Sequence, residues 1–155
     1  MQPENSQKKA YDFALKWISI HPRTVFEIRN KLKERDFSPK IIDQIIKKLE
    51  DQEYLNDQQY AEAWLEERIK NRPSGRALCW KKLREKGIKR EIINKVLNEI
   101  LPEEKEIELA RELVKNKKAL LKARKIHHQK IPRRIAFFLQ NRGFSASTIR
   151  EALEI

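Results

Sequence analysis

The sequence predicts an all-α protein, an elongated tandem array of three three-helix, helix-turn-helix-like repeats. The 155 residues include only 3 Gly and 6 Pro, too few for the many turns of an all-β chain. Charged residues make up 37% of the chain, and apolar residues recur between them at helical spacing. Three segments also align with one another without gaps, which is typical of stacked repeats.

The repeat is defined by columns of apolar residues at offsets of 51 and 56 positions. Five columns keep this register: Ile28, Cys79 and Ile135; Leu32, Leu83 and Leu139; Phe37, Ile88 and Phe144; Ile42, Ile93 and Ile149; Ile46, Leu97 and Leu153. Residues four apart lie on one face of a helix, so the first two columns predict a buried stripe. We therefore expect three-helix units at residues 1–56, 57–101 and 102–155.

Each unit is predicted to begin with a helix of its own. Apolar residues mark it in the first two units: Ala14, Leu15, Trp17, Ile18, Tyr60, Ala61, Trp64, Leu65 and Ile69. Asp57 is the expected N-cap of the second of these helices. The third is predicted from about Pro102 to Arg124, because proline suits a first turn and the glutamates after it suit the helix dipole.

The second and third helices of each unit are predicted to join at a tight turn. The turn falls at Asp36, Gly87 or Gly143, where a residue with positive φ is needed and glycine adopts it without steric cost. The apolar residue after each turn is expected to fold back onto the core. Ser38 and Ser145 are the predicted N-caps of the helices that follow.

The positive charge lies in one half of the chain. The formal net charge is +12, yet residues 1–70 hold 13 basic and 13 acidic side chains, whereas residues 71–155 hold 22 and 10. A solvated surface without a partner would scatter its charge. The segregation therefore predicts a polyanionic partner for the C-terminal half, with nucleic acid the commonest candidate.

The segment 115–134 contains nine Lys and Arg and no acid. If the helix continues through it, basic residues at spacings of four and three form one stripe that suits a phosphate backbone. Its members are Arg111, Lys115, Lys118, Lys122 and Lys125. The alternative is a solvated helix face in a lysine-rich protein. The candidate binding residues of this region are Arg111, Lys115, Lys118, Lys122, Arg124, Lys125, Arg133 and Arg134.

A second basic group surrounds the Gly87 turn. Its members are Arg76, Lys81, Lys82, Arg84, Lys86, Lys89 and Arg90. They either contact the same partner or only form a charged surface. Because no row of base-reading residues is present, we expect contacts to the phosphates of single- and double-stranded DNA. Trp80 aligns with Arg29 and Ala136 and is either a partner contact or a core residue, whereas Trp17 and Trp64 are expected to pack in the core.

We find no residues arranged for catalysis, a metal or a cofactor. The glycines are too scattered for a phosphate loop, and adjacent His127 and His128 would point about 100° apart on a helix. Cys79 occupies a core column and is expected to be a buried hydrophobe. No apolar run is long enough to span a membrane, and a single cysteine fits a reducing compartment. We expect a monomeric, cytoplasmic protein that is not an enzyme.

Three motifs resemble the RecX family of recombination regulators. The run Leu49–Trp64 is similar to the family's L-x-x-x-G-Y/L-L-D-D-x-x-Y/F-A-x-x-W/Y, and Glu27–Leu32 to its E-L-R-x-K-L. Gly75 followed by Leu83–Ile88 is similar to its G-x-x-x-I/L-x-x-x-L-x-x-K-G-I. The third unit is the weakest match. The resemblance implies a protein of DNA repair and the SOS response that binds RecA–DNA filaments and inhibits strand exchange and the coupled ATPase.

The chain departs from the family pattern at two positions. Asn56 replaces the first Asp of the usual pair, and Asp36 stands where Gly is common. If the acidic pair contacts the partner, the first change affects affinity. Two other interpretations stay open, namely a sequence-nonspecific DNA- or RNA-binding helical module without a recombinase partner, and a repeat scaffold whose charge serves solubility.

Overall fold

Nine helices and no strand make up residues 3–154, the part of the chain that the computed structural model describes. They are α1 (Pro3–Ile20), α2 (Val25–Glu34), α3 (Pro39–Asp51), α4 (Asp57–Asn71), α5 (Arg76–Glu85), α6 (Arg90–Ile100), α7 (Glu103–Ala123), α8 (Ile131–Asn141) and α9 (Ala146–Leu153). The all-helical prediction is confirmed. The helix predicted from Pro102 to Arg124 is α7, one residue shorter at each end.

The turns between the second and third helices have the predicted backbone. The φ angles of Asp36, Gly87 and Gly143 are 62°, 81° and 86°. Ser38 and Ser145 cap α3 and α9 by accepting hydrogen bonds from main-chain N–H groups three residues later. These predictions are confirmed. They could be made from the sequence because each depends only on residues that are close together along the chain.

Three separate hydrophobic clusters form, one for each consecutive set of three helices. Ile28 and Leu32 belong to the first cluster, Cys79 and Leu83 to the second, and Leu139 to the third, and all five are fully buried. The protein exposes 10414 Å², whereas a compact monomer of 18.6 kDa exposes about 8,200 Å². The excess surface fits an elongated array.

Neighbouring sets of three helices meet through equivalent backbone contacts. The hydroxyl of Thr24 donates to the carbonyl of Lys86 at 2.8 Å, and the N–H of Gly75 donates to the carbonyl of Arg142 at 2.7 Å. Thr24 and Gly75 occupy the same place in their units, as do Lys86 and Arg142. The turn of each later unit therefore rests on the start of the second helix in the unit before it.

The prediction that Asp57 caps its own helix is wrong. Asn56 is the N-cap of α4 and accepts from the N–H of Gln59. The carboxylate of Asp57 instead accepts from the N–H of Val25 at 3.0 Å, at the start of α2 in the preceding unit. Because Asn56 caps α4, the carboxylate of Asp57 is available to bind the preceding unit.

Candidate nucleic-acid interface

The fifteen predicted binding residues lie mostly at the surface of the second and third units. Twelve are exposed, and three, Arg76, Lys82 and Lys86, are half-buried. Exposure leaves the cations accessible to a partner, but several of them also have partners within the fold. Those partners separate the residues that stabilise the chain from those that can bind another molecule.

Arg76 stabilises a helix C-terminus. Its guanidinium donates to the carbonyls of Leu97 and Leu101 at 3.2 and 2.6 Å and to the side chain of Asn98 at 3.0 Å. The last carbonyls of a helix lack partners within it, so a cation placed there satisfies them and the helix dipole. The charge of Arg76 is therefore committed to the end of α6.

Other members of the middle group also make contacts within the fold. The guanidinium of Arg84 donates to the carbonyl of Ile88 at 3.0 Å, and the ammonium of Lys82 lies 3.9 Å from the carboxylate of Glu85. Lys86 lies over the ring of Tyr60 at 5.8 Å. The exposed cations that remain around this turn are Lys81, Lys89 and Arg90.

The predicted basic stripe follows α7 only in part. Lys115, Lys118 and Lys122 are exposed along the helix, and within residues 3–154 none of the three forms an ion pair. Arg111 lies 3.4 Å from the carboxylate of Glu151. The helix ends at Ala123, and Lys125 has a left-handed φ of 60°. The stripe as predicted therefore breaks before its last member.

The turn after α7 creates an open groove of about 1260 Å³ between the end of α7, α8 and α9. Six cations line it and no carboxylate does: Lys117, Arg124, Lys130, Arg133, Arg134 and Arg150. Arg124, Arg133 and Arg134 are among the predicted binding residues. Sequence analysis missed Arg150, which α9 brings to the groove from outside the basic run.

Two adjacent phenylalanines in the groove have different surroundings. The ring of Phe138 has the ammonium of Lys117 at 4.5 Å and the guanidinium of Arg142 at 5.0 Å from its centroid. Phe137 has 65% of its surface exposed. Sequence analysis missed Phe137, although a comparison of equivalent positions in the repeat gives a signal. The matching residues are Asn30 and Lys81, so an aromatic residue replaces polar ones.

Further arginines meet where the second and third units join. The guanidinium of Arg142 donates to the carbonyl of Pro73 at 2.9 Å. Burial lowers the pKa of Arg142, and the charges of Arg72 and Arg68 lower it further. The junction therefore brings three arginines together, which sequence analysis missed because its members lie about 70 residues apart.

Trp80 ties two helices of its own unit together. Its indole N–H donates to the side chain of Asn94 at 3.0 Å. In the first unit the equivalent pair is Arg29 and Asp43, whose side chains approach to 2.7 Å. Trp80 also packs against the second core. Its observed contacts are therefore those of a residue that holds α5 to α6.

His127 and His128 stack on one another, with ring centroids 4.5 Å apart. Both histidines are exposed and lie beyond the end of α7, so the separation of about 100° that a helix would impose does not apply to them. Within the described residues no group of three potential ligands could hold a metal ion.

Cys79 is buried as expected, and burial raises the pKa of its thiol to about 11. No helix in the described range is long and apolar enough to cross a membrane.

The fold and the surface define a tandem three-helix-repeat protein with its cations concentrated in the second and third units. Residues 10–49 match the family described as "RecX, first three-helix domain". Residues 56–97 match "RecX, second three-helix domain". The chain belongs to the RecX family of regulatory proteins.

The relatives are similar over nearly the whole chain. Regulatory protein RecX of Caldanaerobacter subterraneus subsp. tengcongensis is 32% identical over 148 residues, which cover 96% of this chain and 71% of that protein. Regulatory protein RecX of Bacillus subtilis is also 32% identical over 148 residues, covering 95% and 54%. The chain thus spans about half the length of its Bacillus relatives.

Solved structures confirm the fold. The crystal structure of RecX from Lactobacillus salivarius superposes with a TM-score of 0.85 at 24% identity, covering 97% of this chain and 96% of that one. A second crystal structure, of regulatory protein RecX, superposes with a TM-score of 0.78 at 29% identity, covering 97% and 72%.

Proposed function

We propose that this protein regulates a RecA recombinase by binding RecA–DNA filaments and inhibiting strand exchange and the coupled ATPase. The observation that carries this proposal is membership in a family of regulatory proteins named RecX. The exposed cations of the second and third units support the nucleic-acid part of it.

The mechanism proposed is binding without catalysis. An extended array can contact several filament protomers at once, and contacts made together strengthen binding beyond any single one. The basic half faces DNA phosphates, and the near-neutral half, residues 1–70, faces protein. We treat 1–56, 57–101 and 102–155 as the binding units, acting as a monomer in the cytoplasm during DNA repair.

The alternative is a sequence-nonspecific DNA- or RNA-binding helical module with no recombinase partner. The groove in the third unit favours it, because cations without carboxylates attract any polyanion. The two functions differ in what recruits the protein. Recruitment to a RecA filament above that to bare DNA, at moderate salt, supports the regulator.

The test is strand exchange catalysed by the cognate RecA on single-stranded DNA, with and without this protein. Inhibition at less than one molecule per RecA protomer supports a filament regulator. No effect on strand exchange, together with salt-dependent binding to bare DNA, supports the alternative. ATP hydrolysis measured in the same reactions shows whether the ATPase is inhibited together with strand exchange.

A further inference from the structure

The groove between α7, α8 and α9 combines two features that differ in their chemistry. Its six lining cations are accompanied by no carboxylate, so no acidic side chain of the lining offsets their charge. Phe137, which also lines it, exposes 65% of its surface. A buried phenylalanine contributes to stability, whereas one exposed to this extent leaves most of its apolar surface in contact with water.

We propose that this groove is a binding site for single-stranded DNA, in which the cations contact the phosphates and a base stacks on Phe137. The proposal rests on the proposed function, because it identifies where and how the DNA of that function is bound. Beyond that function, a preference for single-stranded DNA is assigned to this groove and a stacking role to Phe137.

The cations alone do not distinguish one polyanion from another, but the aromatic ring does. In a duplex the bases are stacked on each other, and a protein meets mainly phosphates and groove edges. In a single strand the base faces are accessible to aromatic side chains, and such stacking is largely independent of sequence. An exposed ring among cations therefore fits a single strand.

The neighbouring ring explains why stacking is assigned to Phe137 alone. Lys117 and Arg142 lie over Phe138 at 4.5 and 5.0 Å, so this ring already has two cationic partners within the fold. No cation–π contact involves Phe137 among the residues that the structure describes. Its ring is accordingly the surface that a base can cover.

The size and openness of the groove fit a polymer better than a small ligand. Its volume of about 1260 Å³ exceeds the roughly 300–1,000 Å³ of small-molecule pockets, which enclose most of their ligand. Lys130, Arg133 and Arg134 follow one another at the start of α8, whereas Arg150 projects from α9. Phe137 lies about one turn further along α8 than Arg133 and Arg134 and lines the same groove.

The first test replaces the ring. Phe137→Ala should weaken binding of an oligothymidine of about 20 nucleotides by roughly tenfold, the loss expected for one stacked base. Binding of a duplex of equal length should change less than about twofold, since phosphates dominate it. Phe137→Trp should retain the preference. Fluorescence anisotropy measures all three without RecA, and thermal unfolding followed by circular dichroism verifies the fold.

The matched control is Tyr54→Ala, which removes another aromatic residue that is 52% exposed but lies in the first unit. It should leave both affinities unchanged. Equal losses for oligothymidine and duplex in Phe137→Ala, or no loss for either, would overturn the stacking role. These outcomes differ from failure of the proposed function, which is measured by strand exchange with RecA present.

The second test counts phosphate contacts. Arg133→Ala combined with Arg134→Ala should reduce the slope of log affinity against log salt by about 1.4 on oligothymidine, because each contact to a single strand contributes about 0.7. The control removes Lys8 and Lys9, two exposed cations of α1, and should leave the slope as it is. An unchanged slope in the arginine variant would overturn the assignment of the phosphates to this groove.

Discussion

Gly75 and Gly143 lie back to back where the second and third units meet. A β-carbon added to Gly75 would stand 2.2 Å from the carbonyl oxygen of Gly143 and 2.6 Å from the nitrogen of Phe144. Both neighbouring atoms belong to the backbone and cannot rotate away. The requirement for glycine at position 75 is therefore steric, since its φ of −75° suits any residue.

Gly75→Ala should destabilise the protein by about 1–3 kcal/mol, the usual cost of overpacking. The alanine forces the second and third units apart and breaks the hydrogen bond from the N–H of residue 75 to Arg142. Urea unfolding measures the loss of stability, and small-angle scattering should show a larger radius of gyration. Ala77→Ser, an exposed change nearby on α5, serves as the control. Unchanged stability and radius would contradict the direct backbone contact.

A carboxylate crosses each junction at an equivalent place. Asp57 accepts from the N–H of Val25, and Glu106 accepts from the N–H of Arg76 at 2.6 Å and from the hydroxyl of Thr148 at 3.0 Å. In both cases an acid from the first helix of one unit caps the second helix of the unit before it. In the third unit the position equivalent to Val25 and Arg76 is Pro132, which has no N–H to donate. This cap therefore has no counterpart at the start of α8.

Asp57→Ala should lower the free energy of unfolding by about 1 kcal/mol, the typical value of an N-cap. Glu106→Ala should cost more, because it leaves two donors without an acceptor and Glu106 is only 5% exposed. Asp57→Asn keeps an acceptor for Val25 and should lie closer to the original protein. Chemical denaturation ranks the three variants. A larger loss for Asp57→Ala than for Glu106→Ala would refute this account of the caps.

Asp57 should also make stability depend on pH. Burial raises the pKa of its carboxyl above the ordinary 3.8, an effect that outweighs the Val25 hydrogen bond and the charge of Lys89. The folded state then binds more protons than the unfolded state between the two pKa values. Stability relative to Asp57→Asn should therefore increase as the pH falls through that window. Unfolding in urea from neutral pH to about 3.5 measures the difference. A difference independent of pH would rule out the shift.

Cys79 should be unreactive in the folded protein. The thiolate is the reactive form, and burial raises the pKa of this thiol from 9.0 to about 11. A thiol reagent at pH 8 should react with Cys79 only as the chain unfolds, and at once when guanidinium chloride has unfolded it. Rapid labelling without denaturant would contradict the burial.

The same thiol should make stability depend on pH. Because the folded pKa exceeds the unfolded one, stability relative to Cys79→Ala should fall between pH 9.0 and about 11, by roughly 2–3 kcal/mol.

The sequence predicts those parts of the fold that depend on neighbouring residues. The apolar columns, the turn at Gly87 and the Ser38 cap each follow from periods or propensities within one unit. The partners of Asp57 and Arg76 do not, because they lie 32 and 25 residues away. The first depends on how two units stack, and the second on how α5 packs against the end of α6.

The candidate site likewise combines a local feature that the sequence shows with a tertiary arrangement that it does not. The run of cations in 115–134 is visible in the sequence, but the groove is not, because its shape depends on where the turn after Ala123 directs α8. Arg150 joins the groove only through the packing of α9 in the third unit. Phe137 is the exception, since the repeat alignment already places it in a column that is polar in the other units.

Reversing the charge of exposed cations at the end of α7 and in the turn after it should weaken filament binding. Lys118→Glu, Lys122→Glu and Lys125→Glu together remove up to three phosphate contacts. Each contributes about 0.7 to the salt dependence on a single strand, so the slope should fall by about 2. The residues are exposed, and the fold should therefore be retained. Anisotropy of labelled RecA–DNA filaments across a salt series measures both affinity and slope.

The matched control reverses Lys8, Lys9 and Lys16, three exposed cations of α1. It changes the net charge of the protein by the same amount. Because residues 1–70 are assigned to the protein contact, the two triple variants are compared on labelled single-stranded DNA without RecA. If the effect on binding came from net charge alone, both triple variants would weaken binding equally. A loss confined to the α7 variant assigns the effect to the position of the charge, whereas equal losses would remove this surface from the proposed DNA interface.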